Sequence, residues 1–152
     1  MGNQSYSVAV VGLGSMGMGA ALSCINAGLT TYGIDINPTA LEKLKAAGAK
    51  EVATNGDAFA AELDAVVILV VNAAQANTVL FGDNGLAPKL KAGTAVMVSS
   101  TMAAADAKAI SQKLTDLGLI MLDAPVSGGA AKAAKGEMTV MASGSKEAFA
   151  KL

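Results

Sequence analysis

The stretch Asp123-Ala-Pro-Val-Ser-Gly-Gly129 packs a carboxylate, a hydroxyl, a proline and two glycines into seven residues. Pro125 fixes φ and removes a donor, while Gly128 and Gly129 let the backbone come close to a ligand. The Ser127 hydroxyl and the amides beside it could form a small nest for an anion. The same composition also suits a plain connecting turn between two strands, so its chemistry depends on what the rest of the chain binds. A second stretch, Gly12-Leu-Gly14-Ser-Met-Gly17, has the spacing G-x-G-x-x-G. It follows the apolar run Ser7 to Val11 and opens a helical segment from Ser15 to Ala27, the context in which such a loop cradles phosphates. Gly12 then permits a tight turn, Gly14 admits a pyrophosphate to the backbone, and Gly17 brings the helix close to the strand. The amides of Leu13, Ser15 and Met16 are expected to face the phosphates at the positive end of that helix.

Asp35 ends the next apolar run and stands where an acid accepts hydrogen bonds from an adenosine ribose. Its charge repels a 2′-phosphate, and the chain contains no Arg to hold one, so NAD is favoured over NADP. Two alternatives remain at this point. Asp35 could be an ordinary loop or capping aspartate, and enzymes that use S-adenosylmethionine can carry a similar glycine loop and acid. Further candidates lie after later strands, where open α/β sheets bind ligands: Asn72 and Gln75, then Ser99, Ser100 and Thr101. Each could equally cap the helix that follows.

Composition narrows the field. A hydrophobic content of 53% against 15% charged residues excludes a disordered chain. A net charge of −1 leaves no basic field for nucleic acid. No His is present, which removes the commonest general base and metal ligand, and no metal site is expected. The single cysteine, Cys24, allows no internal disulfide and fits a reducing cytoplasm. Val8 to Ile25 is largely apolar, but it is broken by four glycines and no basic residue precedes Lys43. It therefore reads neither as a signal peptide nor as a membrane span.

The elements that must position these residues alternate. Strands are expected at Ser7–Val11, Thr31–Ile36, Ala49–Ala53, Ala65–Val71, Thr94–Val98, Leu119–Leu122 and Met138–Ala142. Ala65–Val71 is apolar on both faces, as a central parallel strand should be. Helices are expected from Ser15 to Ala27 with Gly28 closing it, from Pro38 to Ala47 under an Asn37 cap, and from Asn72 to Leu80. A further helix starts at a Ser100 or Thr101 cap and ends near Leu117, and another starts at Ser145. The methionines at 97, 102, 121, 138 and 141 read as core filling. Strands alternating with helices predict a Rossmann-type, doubly wound and mostly parallel sheet with helices on both faces. Residues 1–152 read as one cofactor-binding domain. The last expected helix begins only at Ser145, so the chain reads as cut short, leaving an apolar face near Phe149 and Leu152 exposed.

Gly12-Leu-Gly-Ser-Met-Gly17 followed by Met18-Gly-Ala-Ala-Leu22, together with Asp123-Ala-Pro-Val-Ser-Gly-Gly129 and Gly136-Glu-Met-Thr-Val140, resembles the β-hydroxyacid dehydrogenases over essentially the whole chain. That family includes 3-hydroxyisobutyrate dehydrogenase, tartronate semialdehyde reductase and 6-phosphogluconate dehydrogenase. The resemblance implies hydride transfer between NAD(P) and a small hydroxyacid. Gly12, Gly14 and Gly17 would hold the pyrophosphate, Asp35 the ribose, and Thr101 the nicotinamide side. Ser127, Gly128 and Gly129 would hold the substrate carboxylate or hydroxyl. The resemblance also implies a general acid/base lysine on a second, all-helical domain beyond Leu152, and a homo-oligomer assembled through that domain. No catalytic residue is then expected within this chain. Lys132 and Lys135 lie near the substrate turn but at a different motif position. The competing reading is a non-catalytic module that binds or senses NAD.

Overall fold

The computed structural model describes residues 6–152. Nine strands and six α-helices follow one another as β1 (Ser7–Val11), α1 (Ser15–Asn26), β2 (Thr30–Ile34), α2 (Pro38–Ala47), β3 (Glu51–Ala53), β4 (Ala65–Ile68), α3 (Ala73–Phe81), β5 (Ala95–Val98), α4 (Ala104–Asp116), β6 (Ile120–Asp123), β7 (Val126–Ser127), α5 (Gly129–Lys135), β8 (Thr139–Val140), β9 (Ser143–Gly144) and α6 (Lys146–Lys151). Short 3-10 turns at Ala60–Glu62 and Ala87–Lys89 complete the loops.

Seven strands form one sheet in the order β3-β2-β1-β4-β5-β6-β9. Every pairing is parallel except β6 with β9. Because side chains alternate across a strand, an apolar run must be covered on both faces. Ala9 and Val11 of β1 therefore join Ile68, Leu80, Ile110 and Leu114 under α3 and α4. Val10 faces the other way and packs with Leu13, Met18, Ala21 and Leu44 under α1 and α2. A third, smaller core of Leu122, Ala124 and Ala148 lies under α6. Helices on both faces of a mostly parallel sheet give the expected Rossmann-type architecture.

Several expected boundaries move, each for a visible reason. The β4 strand stops at Ile68 rather than Val71. Leu69 still donates to the Val11 carbonyl at 2.8 Å, but β1 has ended there and offers no further partner. The chain then leaves the sheet, and Val71 is 77% exposed. In the same way β2 ends at Ile34, and Ile36 is 87% exposed. Neither Ser100 nor Thr101 caps α4. Ser99 still donates to Ile68 at 2.9 Å, which keeps the segment on the sheet, and the helix starts at Ala104 after an Ala103 N-cap.

The run from Met138 to Ala142 is not a seventh parallel strand. The β8 strand pairs antiparallel with β7 in a separate two-stranded ribbon, and the chain returns to the main sheet as β9, antiparallel to β6. Met141, on this detour, is exposed, whereas Met97, Met102 and Met121 do pack on the cores. The α5 helix is absent from the sequence reading altogether. Phe149 and Leu152 are 50% and 42% exposed. Among the described residues no helix is long and apolar enough to cross a membrane, and no cluster of His, Cys, Asp or Glu could hold a metal ion.

Candidate functional site

The sheet order turns at β1, which lies between β2 and β4, and a cleft of about 530 Å³ opens at that point beyond the carboxyl ends of the strands. Its floor is the glycine loop. Gly12 has φ +92°, and a Cβ there would lie 2.8 Å from the Leu69 carbonyl oxygen, so only glycine fits. A Cβ on Gly17 would lie 1.6 Å from the Gly12 carbonyl oxygen, because α1 rests directly on the loop. Gly14 differs, in that a Cβ there would meet nothing within 4 Å. The loop is thus pinned at both ends and open in the middle, on the cleft side. Gly14 is also the N-cap of α1, and no side chain caps that helix. The first-turn amides of Ser15, Met16 and Gly17 therefore have no intrahelical acceptor at the positive end of the helix.

Asp35 is held between two backbone donors. The Leu13 amide donates to one carboxylate oxygen at 2.6 Å and the Asn37 amide to the other at 2.9 Å. The Leu13 amide, expected to face a phosphate, is engaged here by the acid. The Leu13 side chain is buried in the core with Val10 and Leu44. Each oxygen of Asp35 keeps a lone pair for a further donor, and the residue lines the cleft.

Asn72 and Gln75 form a reciprocal cap on α3. The Gln75 amide donates to Asn72 Oδ1 and the Val71 amide to Gln75 Oε1, both at 2.9 Å. Each oxygen accepts one bond at the helix end, and their amide NH2 groups are the donors left for another partner. Gln75 lines the cleft, and Asn72 is exposed beside it. Ile36, Thr54, Val71, Thr78 and Val79 also line the cleft and were not singled out from sequence. Their signal was faint: apolar or small residues at or one step past an expected strand end, or in the second turn of a helix.

The later candidates stand apart from this cleft. Thr101 is exposed after β5, while Ser99 and Ser100 are buried, and Ser100 Oγ has no hydrogen-bond partner. Ser127 is exposed on β7, and Gly128 and Gly129, at φ +123° and +73°, carry the chain into α5. At about 4.8 Å per strand, the end of β6 lies roughly 14 Å across the sheet from the end of β1. A ligand reaching from Asp35 to Ser127 must therefore extend past β4 and β5. Lys132 folds its stem over the turn at Gly128, within 3.1 Å of where a Gly128 Cβ would lie.

Asp123 is half-buried, and burial pushes its carboxyl above the usual aspartate range. It lines a second cavity of about 300 Å³ with Ala107, Lys108 and Ser111 of α4 and with Ser143. Cys24 is half-buried on α1, and burial pushes its thiol up as well.

A doubly wound sheet with an uncapped glycine loop and an anchored acid at its switch point defines a dinucleotide-binding domain of the Rossmann type. The chain belongs to the NAD binding domain family of 6-phosphogluconate dehydrogenase, matching that family's model over residues 7–152. It is 86% identical over 149 residues to L-threonate dehydrogenase of Haemophilus influenzae, covering 98% of this chain and 50% of that protein. It is 70% identical to L-threonate dehydrogenase of Pectobacterium atrosepticum, over 97% of this chain and 48% of that protein. A crystal structure of 3-hydroxyisobutyrate dehydrogenase from Salmonella typhimurium superposes with a TM-score of 0.94 at 60% identity, over 97% of this chain and 51% of that one. The chain thus spans about half the length of the relatives it matches.

Proposed function

We propose that this chain is the cofactor-binding domain of an NAD-dependent hydroxyacid oxidoreductase, and that the whole protein oxidises L-threonate at its C2 hydroxyl to the 2-oxo acid. The observation that carries the cofactor reading is the pairing of an open, uncapped Gly14 loop with a carboxylate fixed on the loop itself through Leu13. When bound, NAD⁺ supplies the hydride acceptor. Gly12, Gly14 and Gly17 keep the loop low enough for a pyrophosphate, which the Ser15 and Met16 amides would meet. Asp35 would accept from the two ribose hydroxyls and exclude a 2′-phosphate. Gln75 lines the wall of the cleft, Asn72 stands beside it, and Thr101 serves the nicotinamide side. Ser127, Gly128 and Gly129 hold the substrate carboxylate or hydroxyl.

Within the family likeness, Val71-Asn-Ala-Ala-Gln75, Val79-Leu-Phe-Gly82, Val98-Ser-Ser-Thr101 and the stretch from Leu122 to Gly144 resemble L-threonate dehydrogenase in particular. The Haemophilus influenzae and Pectobacterium atrosepticum relatives, at 86% and 70% identity, carry that name. The Salmonella structure's name favours a second substrate, 3-hydroxyisobutyrate, and tartronate semialdehyde reduction is the remaining family reaction. The general acid/base is a lysine outside these residues, on a helical domain that also carries the oligomer contacts.

The test is nicotinamide reduction by the product of the full reading frame, given L-threonate or 3-hydroxyisobutyrate with NAD⁺ or NADP⁺. Turnover of L-threonate with NAD⁺ supports the reading. Tight NADH binding without turnover of any hydroxyacid overturns it in favour of a sensing module.

A further inference from the structure

The α5 helix holds the turn of Ser127, Gly128 and Gly129, and its one buried residue is Ala133. Ala133 rests on α1 at a point where α1 has no side chain. A Cβ on Gly19 would lie 2.5 Å from the Ala133 carbonyl carbon, 2.7 Å from its Cβ and 2.8 Å from its carbonyl oxygen. Two of those three atoms are backbone, so no rotamer change could clear them. One turn further along, a Cβ on Gly136 would stand 3.4 Å from Ser23 Oγ. Gly19 and Ser23 are four apart and share one face of α1. The two segments therefore meet backbone to backbone at Gly19, and the Ser23 side chain lies against the backbone of Gly136.

We infer that Gly19 is a positioning residue for the substrate turn. Its missing side chain sets the height of α5, and α5 sets where Ser127, Gly128 and Gly129 stand. The inference rests on the reading of that turn as the substrate-binding element. A side chain at position 19 has to displace one of two helices, and they are unequally held. The α1 helix runs twelve residues and buries Gly17, Met18, Gly19 and Ala21. Gly17 ties it to the Gly12 carbonyl, and Met18 and Ala21 pack in the core with Val10 and Leu44. The α5 helix runs seven residues and is otherwise exposed. So α5 yields, and the turn at its start moves with it. The phosphate loop stays in place because the clash falls on the side of α1 away from its anchors. Gly19, two residues past the glycine pattern, thus belongs to the cofactor helix but acts on the other ligand. It touches neither ligand itself.

The experiment uses the protein expressed from its full reading frame. Gly19→Ala should raise KM for the hydroxyacid about 3- to 10-fold, since sub-ångström to ångström misplacement of a binding group carries penalties of this order or more. The dissociation constant for NADH should stay within about twofold of wild type, because the loop amides and Asp35 have not moved. Hydrogen exchange should quicken in peptides spanning residues 126–136 and stay unchanged in those spanning 8–19. Adding Ala133→Gly removes only the contact at 2.7 Å and leaves the backbone contacts at 2.5 and 2.8 Å, so most of the rise in KM should remain. Should Gly19→Ala fail to fold, Ala133→Gly alone tests the same link, with faster exchange in 126–136 and an unchanged NADH constant. A rise in the NADH constant in step with KM, or unchanged exchange in 126–136, overturns the inference. If the wild-type protein turns over no hydroxyacid, the functional reading fails, and the exchange measurement still decides whether Gly19 positions the turn.

Discussion

At the residue scale, two carboxylates with opposite surroundings make the sharpest predictions. Asp35 accepts two backbone amides and faces the cleft. Asp35→Asn keeps the shape and removes the charge. It deletes the repulsion against a 2′-phosphate and one acceptor for ribose, so discrimination between NADH and NADPH should fall at least about tenfold, roughly 1.4 kcal/mol. Fluorescence titration of both nucleotides measures this, and unchanged discrimination would mean the acid does not read the ribose. Asp123 is the reverse case. Burial raises its pKa, so the folded protein holds that proton more tightly than the unfolded chain does. Ionisation then costs stability as pH climbs from the ordinary aspartate range, about 4, through the folded value, and the cost stands in full above it. Asp123→Asn should therefore raise Tm at neutral pH, with the gain shrinking as pH falls toward about 4. Paired thermal melts across that interval check it, and a gain independent of pH would remove the titration argument.

At the element scale, the helix ends show what was legible and what was not. Asn37 accepts from the Thr39 amide at 3.0 Å with Pro38 at the first helical position, and Asn72 accepts from Gln75. Both caps were readable because the side chain that signals the helix also satisfies its first amides. Asn37→Ala should cost about 1 kcal/mol of stability in urea denaturation. A negligible loss would show that water replaces the cap. Ser100 and Thr101 carried the same signal without the role. Their backbone is committed to the sheet through the Ser99 bond to Ile68, a long-range tie that no local pattern reveals. The α5 helix was missed for the opposite reason. Ala130-Ala-Lys-Ala-Ala-Lys135 is strongly helix-favouring and ends at Gly136 in the left-handed region. That signal was present, but the preceding glycines masked it as a turn. The ribbon of β7 and β8 could not be read locally at all. Its two-residue strands are defined only by pairing across the α5 excursion.

At the scale of the whole molecule, the apolar runs alternating with helical segments and the glycine spacing were enough to predict the doubly wound sheet and the place of the cleft. They could not say that the Leu13 amide would be spent on Asp35, nor that Ile36 and Val71 would flank the opening, because both depend on where strands lose their partners. All residues lining the cleft fall between Val11 and Val79. The turn at Ser127, proposed above to hold the substrate, comes some fifty residues later, on the far side of β5 and β6. This separation predicts that the adenosine end of a dinucleotide is recognised independently of everything that follows Val79. The 152-residue chain alone should then bind NADH and also ADP-ribose, which lacks the nicotinamide. At a hundredfold excess over its dissociation constant either ligand stabilises by about 2.7 kcal/mol, a rise in Tm of roughly 5–10 °C for a domain of this size. If the general acid/base lysine lies outside these residues, as proposed above, the same chain should transfer no hydride from L-threonate. Thermal melts with each ligand, run beside a turnover assay, test both halves. A shift with NADH but none with ADP-ribose would relocate the principal binding contacts toward the nicotinamide side, beyond Val79, and remove the cleft from the site.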